Sequence, residues 1–99
     1  MSDFRHGWEE LLGNPLHFIK TLPKNANDIT DNIFTDYNSE GELNDAYSNY
    51  PTDSYYGIFV NIKVRGYSSQ LIFTSNAMLY RRRLETNWGN WKKISFTDL

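Results

Sequence analysis

The chain contains no cysteine, only three prolines and no long apolar run among its 99 residues. Without cysteine, disulfides cannot stabilise the fold, and thiolate metal sites and cysteine nucleophiles are excluded. No stretch approaches the ~18 apolar residues of a membrane span. The first seven residues contain no apolar segment of the kind that signal peptides have. The sequence therefore predicts a protein that is soluble where it is made and has no membrane partner.

A basic excess is also missing, because the formal net charge is -2 and the pI is about 5.6. Non-specific nucleic-acid binding needs a concentrated basic surface, so we expect no nucleic-acid partner. The one basic run is Arg81-Arg82-Arg83. On a strand, adjacent residues face opposite sides, so Arg82 should point away from the other two. The run predicts a charged strand surface, or one arginine that reaches an anionic ligand group.

Aromatic residues are abundant, at 16% of the chain, and the polar residues favour Asn, Ser and Thr. These types are common in adaptable binding surfaces and equally in strands and turns. A chain of this length forms one domain with a modest core, because it buries only about two-thirds of its unfolded surface. Small proteins without disulfides often gain stability by oligomerisation.

The chain divides into an apolar N-terminal segment, residues 1–23, and a β domain, residues 24–99. Asp3 is suited to cap a short helix over residues 4–12, which Gly13-Asn14-Pro15 would end. This segment carries one apolar stripe at helical spacing and a second apolar cluster after the predicted helix. These residues are Trp8, Leu11, Leu12, Leu16, Phe18, Ile19 and Leu22.

Alternating apolar and polar residues predict strands in the rest of the chain, most clearly over residues 56–64. Further strands are predicted over residues 33–37, 70–74, 78–85 and 91–96, with turns at 65–67, 75–77 and 87–90. Residues 38–54 are predicted to form a long polar loop without structure of its own. Successive strands with short turns form an antiparallel meander. The predicted fold class is therefore a mainly β, small antiparallel β-meander with a short N-terminal helix.

Candidate catalytic and metal-binding residues do not form a recognisable set. His6 and His17 lack a clear partner in sequence. The run Asp36-Tyr37-Asn38-Ser39-Glu40-Gly41 begins like a calcium loop, but its twelfth position is Tyr47 instead of Glu. An Asx-rich turn is the preferred interpretation, with a loose calcium site as the alternative. The carboxylates are expected to be solvated charges rather than a glycosidase pair; they are Glu9, Glu10, Glu40, Glu42, Asp45, Asp53 and Glu85. We predict no catalytic residue, metal or cofactor.

Aromatic and amide side chains gather around the last predicted turn and suggest a binding surface. An aromatic face can stack on the apolar side of a sugar ring while Asn and Arg bond its hydroxyls. Trp91 lies inside a predicted strand and is expected in the core, whereas Trp88 lies in the turn and is expected to be exposed. The predicted glycan-binding residues are Trp88, Asn87, Asn90, Tyr80, Arg82 and Tyr55.

Several short motifs occur in a characteristic order over about two-thirds of the chain. They are Asn27-Asp28-Ile29-Thr30, Ile33-Phe34, Pro51, Tyr56-Gly57-Ile58-Phe59-Val60, Gly66-Tyr67, Gln70-Leu71-Ile72-Phe73, Met78-Leu79-Tyr80-Arg81-Arg82 and Trp88-Gly89-Asn90-Trp91-Lys92-Lys93-Ile94. This ordered set resembles the pyocin-knob type of domain found near the ends of bacteriophage tail fibres and phage-tail-like bacteriocins. The chain departs from that pattern at Asp31-Asn32, where the family usually has glycine, and in its longer, more acidic loop over residues 38–54.

The resemblance implies a virion component of the tail fibre, made in the host cytoplasm, that recognises a host cell-surface polysaccharide or teichoic acid. It also implies a homotrimer that assembles with other tail or baseplate proteins. In such a trimer, residues of the N-terminal segment are expected to pack around the threefold axis; they are Trp8, Leu11, Leu12, Leu16 and Phe18. Two alternatives stay open: a structural fibre-tip or trimerisation domain without a ligand, and a small glycan-degrading enzyme.

Overall fold

In the part of the chain that the structure describes, seven strands form one mixed sheet, so the predicted mainly β class is confirmed. The computed structural model describes residues 15–38, 47–51 and 56–98. The predicted N-terminal helix over residues 4–12 lies outside the described residues. The strands are β1 (His17–Phe18), β2 (Ile33–Asn38), β3 (Tyr56–Val64), β4 (Tyr67–Thr74), β5 (Ala77–Leu84), β6 (Asn87–Trp88) and β7 (Lys92–Ser95). They follow the order β1-β2-β3-β4-β5-β6, and β7 also pairs with β5.

The antiparallel meander of β2 to β5 follows the alternation in the sequence, and β3 has the predicted bounds. Strands β3 and β4 are joined by a tight turn at Arg65-Gly66, in which Arg65 has a φ of 58°. Two-residue hairpin turns favour such positive φ values because their twist matches that of the strands. Glycine is required at position 57, near the start of β3, because a Cβ there would lie 1.8 Å from the carbonyl oxygen of Phe73 on β4.

The chain turns at Glu85-Thr86, where Glu85 has a φ of 59°, and the next two residues pair back onto β5. Trp88 lies opposite Arg83 in this short pairing. The prediction of a turn over residues 87–90 is therefore wrong for its first half. Its Asn and Gly residues indicated a turn, but the reversal occurs two residues earlier, at residue types that seldom adopt positive φ.

Strand β1 runs parallel to β2, so the expectation of a wholly antiparallel sheet is wrong at this edge. The backbone NH groups of His17 and Ile19 donate to the carbonyls of Asn32 and Phe34, each at 3.0 Å. A parallel pair needs a long crossover connection. Here the crossover is residues 19–32, which include a 3₁₀ turn at Ala26–Asp28 and pass over one face of the sheet.

The face under this crossover is the closed face, and its core combines side chains from the strands and from the covering residues. Its buried cluster consists of Ile29, Ile33, Tyr37, Phe59, Ile72 and Leu79, with Ile19, Leu22, Tyr50 and Trp91 packed against it. Phe59 is 0% exposed, and its ring lies 5.6 Å from that of Tyr50 and 6.4 Å from that of Tyr37.

The opposite side is the open face, and it carries the more apolar set of alternating residues. Ile58 is 49% exposed, Phe73 is 43% exposed and Ile94 is 47% exposed. By the strand register, the side chains on this face are Phe18, Phe34, Asp36, Asn38, Tyr56, Ile58, Val60, Ile62, Val64, Tyr67, Ser69, Leu71, Phe73, Met78, Tyr80, Arg82, Leu84, Asn87, Lys92 and Ile94.

The described part of the predicted loop, residues 47–51, is attached to the covering crossover. Ser48 forms a bridge with Asn25, and its backbone NH donates to the carbonyl of Lys24 at 2.8 Å. The Tyr50 hydroxyl donates to the carbonyl of Pro23. The prediction of a loop without structure of its own is thus wrong for these residues, because backbone pairing and a buried ring hold them against the sheet.

Candidate functional site

A hydrogen-bonded series of polar side chains, the polar chain, crosses the closed face and ends at Arg81, beside Trp88 and Trp91. Asn61 donates to the carbonyl of Asp31 at 2.9 Å. Gln70 donates to Asn61 Oδ1 at 3.0 Å and to the carbonyl of Ala26 at 2.6 Å. The Nε of Arg81 in turn donates to Gln70 Oε1 at 2.9 Å. Buried amides are costly unless paired, and here each amide pairs with the next residue or with the crossover.

Arg81 is the buried end of the polar chain, and 5% of the surface of Arg81 is exposed. Its Nη2 donates to Asn27 Oδ1 at 2.7 Å, and its Cζ lies 4.2 Å from the ring centroid of Trp88 and 5.0 Å from that of Trp91. Among the described residues, these partners include no carboxylate. Burial lowers the pKa of Arg81 to about 10. Hydrogen bonds to the side-chain amides of Gln70 and Asn27 hold Arg81 in place. Its cation–π contacts therefore fix both tryptophans to the sheet.

The two tryptophans are both half-buried, which corrects the expectation that Trp88 is exposed. Trp88 contacts Arg81 and also lies 5.7 Å from the Cζ of Arg83. Trp91 packs against the buried cluster, as expected, and its Nε1 donates to the carbonyl of Asn49 at 3.0 Å. Trp88 is less exposed than a turn residue would be because it belongs to β6, whose register places it beside the arginines.

A concavity of about 600 Å³ lies at the corner of the sheet where β5 is bordered by β6 and β7. Its walls combine aromatic and aliphatic side chains with amides and charged groups. The lining residues are Tyr67, Tyr80, Arg81, Arg82, Leu84, Glu85, Asn87, Trp88, Gly89, Asn90 and Lys92. Asn87, Asn90 and Arg82 are exposed at this corner, so their polar groups are accessible to a ligand.

Five of the six predicted glycan-binding residues line this one concavity: Trp88, Asn87, Asn90, Tyr80 and Arg82. Tyr55 lies outside the described residues. Adjacent arginines of the basic run point to opposite faces of the sheet, as predicted. Arg82 pairs with Ser69 and is exposed, whereas Arg81 pairs with Gln70 and is buried.

The predicted trimerisation residues are only partly described. Trp8, Leu11 and Leu12 lie outside the described residues, and Leu16 and Phe18 are 45% and 55% exposed at the β1 edge. The Phe18 ring contacts that of Phe34, with 5.7 Å between the two centroids.

Sequence reasoning missed several lining residues, chiefly Tyr67 and Lys92. Lys92 lies directly opposite Tyr80 in the β5–β7 pairing, so a correct register for the last strand would have identified it. Tyr67 begins β4 immediately after the turn, and it reaches this corner only because two hairpins lie side by side.

Smaller concavities among the described residues include one of about 520 Å³ beside Tyr37, Tyr47 and Tyr56 and one of about 450 Å³ beside His17 and Asp31. Within the described ranges, no group of three or more His, Asp or Glu side chains could hold a metal ion. In the same ranges, no helix has the length and apolar character needed to cross a bilayer.

Comparison of the chain with protein-family models finds no match. Comparisons with the curated proteins and with solved structures find no match either. The resemblance to pyocin-knob domains therefore stays a prediction. What the described residues show is the fold class: a mainly β domain whose sheet has a closed face, an open face and an aromatic concavity at a corner.

Proposed function

We propose that this chain is a receptor-binding module of a phage tail fibre that recognises a host cell-surface glycan through the corner concavity. The observation that supports the site is the convergence of Tyr80, Trp88, two asparagines and Arg82 on this concavity, a hollow that is open to solvent. The virion setting, the homotrimer and the other tail or baseplate partners are what the resemblance to pyocin-knob domains implies.

The chemistry of the walls fits a sugar better than a wholly apolar ligand. Tyr67, Tyr80 and Leu84 offer apolar surface to the C–H side of a sugar ring, while Asn87 and Asn90 supply donors and acceptors for its hydroxyls. The volume is within the ~300–1,000 Å³ range of small-molecule sites. Because Trp88 contacts Arg81, we assign Trp88 to shaping the wall and Tyr80 to stacking.

The charges at the rim favour an anionic glycan. Arg82 and Lys92 both line the hollow, with Lys92 directly opposite Tyr80. A guanidinium binds phosphate or carboxylate with paired hydrogen bonds, so phosphate-bearing teichoic acid is a suitable class. Among the described lining residues Glu85 is the one carboxylate, whereas glycoside hydrolysis uses a pair. This favours recognition over the alternative of a glycan-degrading enzyme.

The test is binding of the purified chain to immobilised teichoic acids and neutral cell-wall polysaccharides. Arg82→Gln and Asn90→Ala each remove one polar group from the hollow, and both residues are exposed. Lys24→Gln is the matched control, because it removes one positive charge at an exposed site outside the hollow. We expect Arg82→Gln to weaken binding about tenfold, equivalent to one charged hydrogen bond of about 1.4 kcal/mol.

Binding that is unaffected by Arg82→Gln and Asn90→Ala would place the ligand elsewhere. No binding to any glycan would support the structural alternative, a fibre-tip domain without a ligand. Release of reducing sugar from the polysaccharides would support the enzyme alternative.

A further inference from the structure

Two guanidinium groups lie beside one indole ring on the closed face. The Cζ of Arg81 is 4.2 Å from the ring centroid of Trp88, and the Cζ of Arg83 is 5.7 Å from it. Residues two apart on a strand point to the same face and lie about 7 Å apart. Among the described residues, no carboxylate pairs with either arginine. Two like charges are thus held close together, and Arg81 is almost wholly buried.

The donors of Arg83 are poorly satisfied in the part of the chain that the structure describes. Its Nη2 donates to the hydroxyl of Ser68 at 3.4 Å, which is long for a nitrogen–oxygen hydrogen bond. Its Nε is enclosed and has no partner there. A guanidinium has five N–H donors, and leaving a buried donor unpaired is destabilising. A bound ion is one established reason for such a group in a folded protein.

A third cation lies in the same row of the sheet. The register pairs Lys63 with Ser68 and Ser68 with Arg83, so these three side chains lie side by side on the closed face. No described residue forms an ion pair with Lys63. Lys63 and Arg83 are both partly exposed, so an anion can reach them from solvent.

The side-chain hydrogen bonds to the crossover end one row before this one. Asn61, Gln70 and Arg81 donate to the crossover from the preceding row. The carboxylates nearest along the chain are those of Asp28, beside Asn27 on the crossover, and Glu85, two residues after Arg83. Both are exposed, and neither pairs with the cations of the last row. The end of the closed face is therefore cationic and lacks a counter-ion among the described residues.

We infer that Arg83, Lys63 and Arg81 form an oxyanion site on the closed face and that its ligand is a phosphate group. A phosphate group carries up to two negative charges and several strong acceptor oxygens, which suits three cations better than a single carboxylate does. Arg83 forms paired hydrogen bonds with it, and Lys63 acts as a point charge. Arg81 keeps its amide partners and contributes charge from below. Burial lowers the pKa of Arg81 to about 10, which reflects the cost of this cation without a counter-ion.

The oxyanion site is distinct from the corner concavity and does not depend on glycan recognition. Lys63 and Arg83 are absent from the lining of the hollow, whereas Trp88 lines the hollow and contacts Arg83. Two sources supply the same chemistry: inorganic phosphate, and a phosphodiester of a polymer whose sugar lies in the hollow.

Thermal unfolding of the full chain in sodium phosphate and in sodium chloride of equal ionic strength tests the site, with tryptophan fluorescence as the signal. An anion that binds the folded chain raises the Tm. Relative to chloride, we expect a rise of about 5 °C once phosphate exceeds its dissociation constant about tenfold.

Arg83→Gln is the decisive variant. In chloride it should be at least as stable as the unmodified chain, because it removes an unpaired donor and a like charge. In phosphate it should lose most of the rise in Tm, since the anion then binds about tenfold more weakly. Lys20→Gln is the matched control, because Lys20 is exposed beside Asp36 at the β2 edge, and it should keep the full rise.

A Tm in phosphate no higher than in chloride would overturn the inference for the unmodified chain. A rise that persists in Arg83→Gln would overturn it as well, and loss of that rise in Arg82→Gln would place the anion in the corner concavity. A purely structural role for Arg83 is also distinguishable, because Arg83→Gln would then lower the Tm equally in both salts.

Titration with poly(glycerol phosphate) identifies the source of the phosphate. Binding that depends on Arg83 and is tighter than that of inorganic phosphate indicates the polymer, whereas the reverse order indicates the free anion. Glycan binding that is absent while the phosphate rise remains would contradict the proposed function and leave the oxyanion site supported.

Discussion

The covered face of a sheet is usually its more apolar face, but in this sheet the exposed face is the more apolar one. The closed face is covered, yet it contains Asn61, Gln70 and Arg81, whereas the open face is almost wholly apolar in its interior and half-exposed. Hydrophobic attraction has no direction and does not select one partner over another. Hydrogen bonds from buried amides do, because an unpaired buried amide is costly.

The polar chain explains why the crossover settles on one face and in one position. Gln70 bonds the carbonyl of Ala26, Asn61 bonds that of Asp31, and Arg81 bonds the side chain of Asn27. A shift of the crossover along the sheet would break all three. Directional polar groups therefore fix the cover of the closed face, while the open face offers area to any apolar surface of matching shape.

The largest expected effect comes from truncating neighbouring residues of β3 that face opposite sides. Phe59→Ala should reduce the free energy of unfolding by about 3–5 kcal/mol. It leaves a cavity under Tyr50 and Tyr37. Ile58→Ala should cost only about 1 kcal/mol in dilute solution, because half of this side chain is already in contact with water. Urea unfolding followed by fluorescence measures both.

Measuring the unfolding of Phe59→Ala and Ile58→Ala over a range of protein concentrations shows whether the open face becomes buried when copies associate. If copies pack through the open face, the cost of Ile58→Ala grows as the concentration rises, whereas the cost of Phe59→Ala changes little. Equal losses for the two variants in dilute solution would mean that both faces are covered within a single chain.

An intermediate effect is expected from the adjacent arginines of β5. Arg81→Ala removes the donor to Gln70 and Asn27 and the cation beside two indole rings. A loss of about 2–3 kcal/mol is expected. Arg82→Ala should leave the free energy of unfolding nearly unchanged, because Arg82 is exposed. Near-ultraviolet circular dichroism should report the freed tryptophans in the first variant alone. Similar costs for the two would contradict the polar chain as a support of the closed face.

Much of the sheet could be predicted from the sequence, because period-two alternation is a local property. It predicted the bounds of β3 and the opposite facing of Arg81 and Arg82. The alternation does not reveal which face is covered, since the covering side chains come from a distant crossover. Strand β1 was missed because two residues held by backbone bonds leave no side-chain pattern.

The candidate site was predictable to the extent that it is local in sequence. Asn87, Trp88 and Asn90 directly follow one reversal of the chain, and Tyr80 and Arg82 lie on the strand before it. Tyr67 and Lys92 join them only through strand register, which the sequence pattern does not fix at these ends. The burial of Trp88 depends on Arg81 below it, a contact set by the register of β6.

The smallest expected effect concerns the cover of the closed face and its dependence on pH. The Tyr50 hydroxyl donates to the carbonyl of Pro23. Tyr50→Phe should lose about 1 kcal/mol near pH 7. Burial raises the pKa of Tyr50 above its ordinary value of 10.0, with a further rise from Tyr37 and Tyr47. Above pH 10 the unfolded chain therefore releases the Tyr50 proton while the folded chain keeps it, so this contribution to stability falls as pH rises.

The advantage of the unmodified chain over Tyr50→Phe should accordingly shrink between about pH 9 and pH 11. Arg81 acts with the opposite sign, because burial lowers its folded pKa to about 10, below the ordinary value of an arginine, and the unfolded chain keeps its proton longer. Arg81 is present in both chains, so its contribution largely cancels in their difference. Urea unfolding of both chains at each pH gives that difference directly. An advantage that stays constant or grows above pH 10 would show that Tyr50 is solvated and that its hydroxyl does not help to hold the crossover.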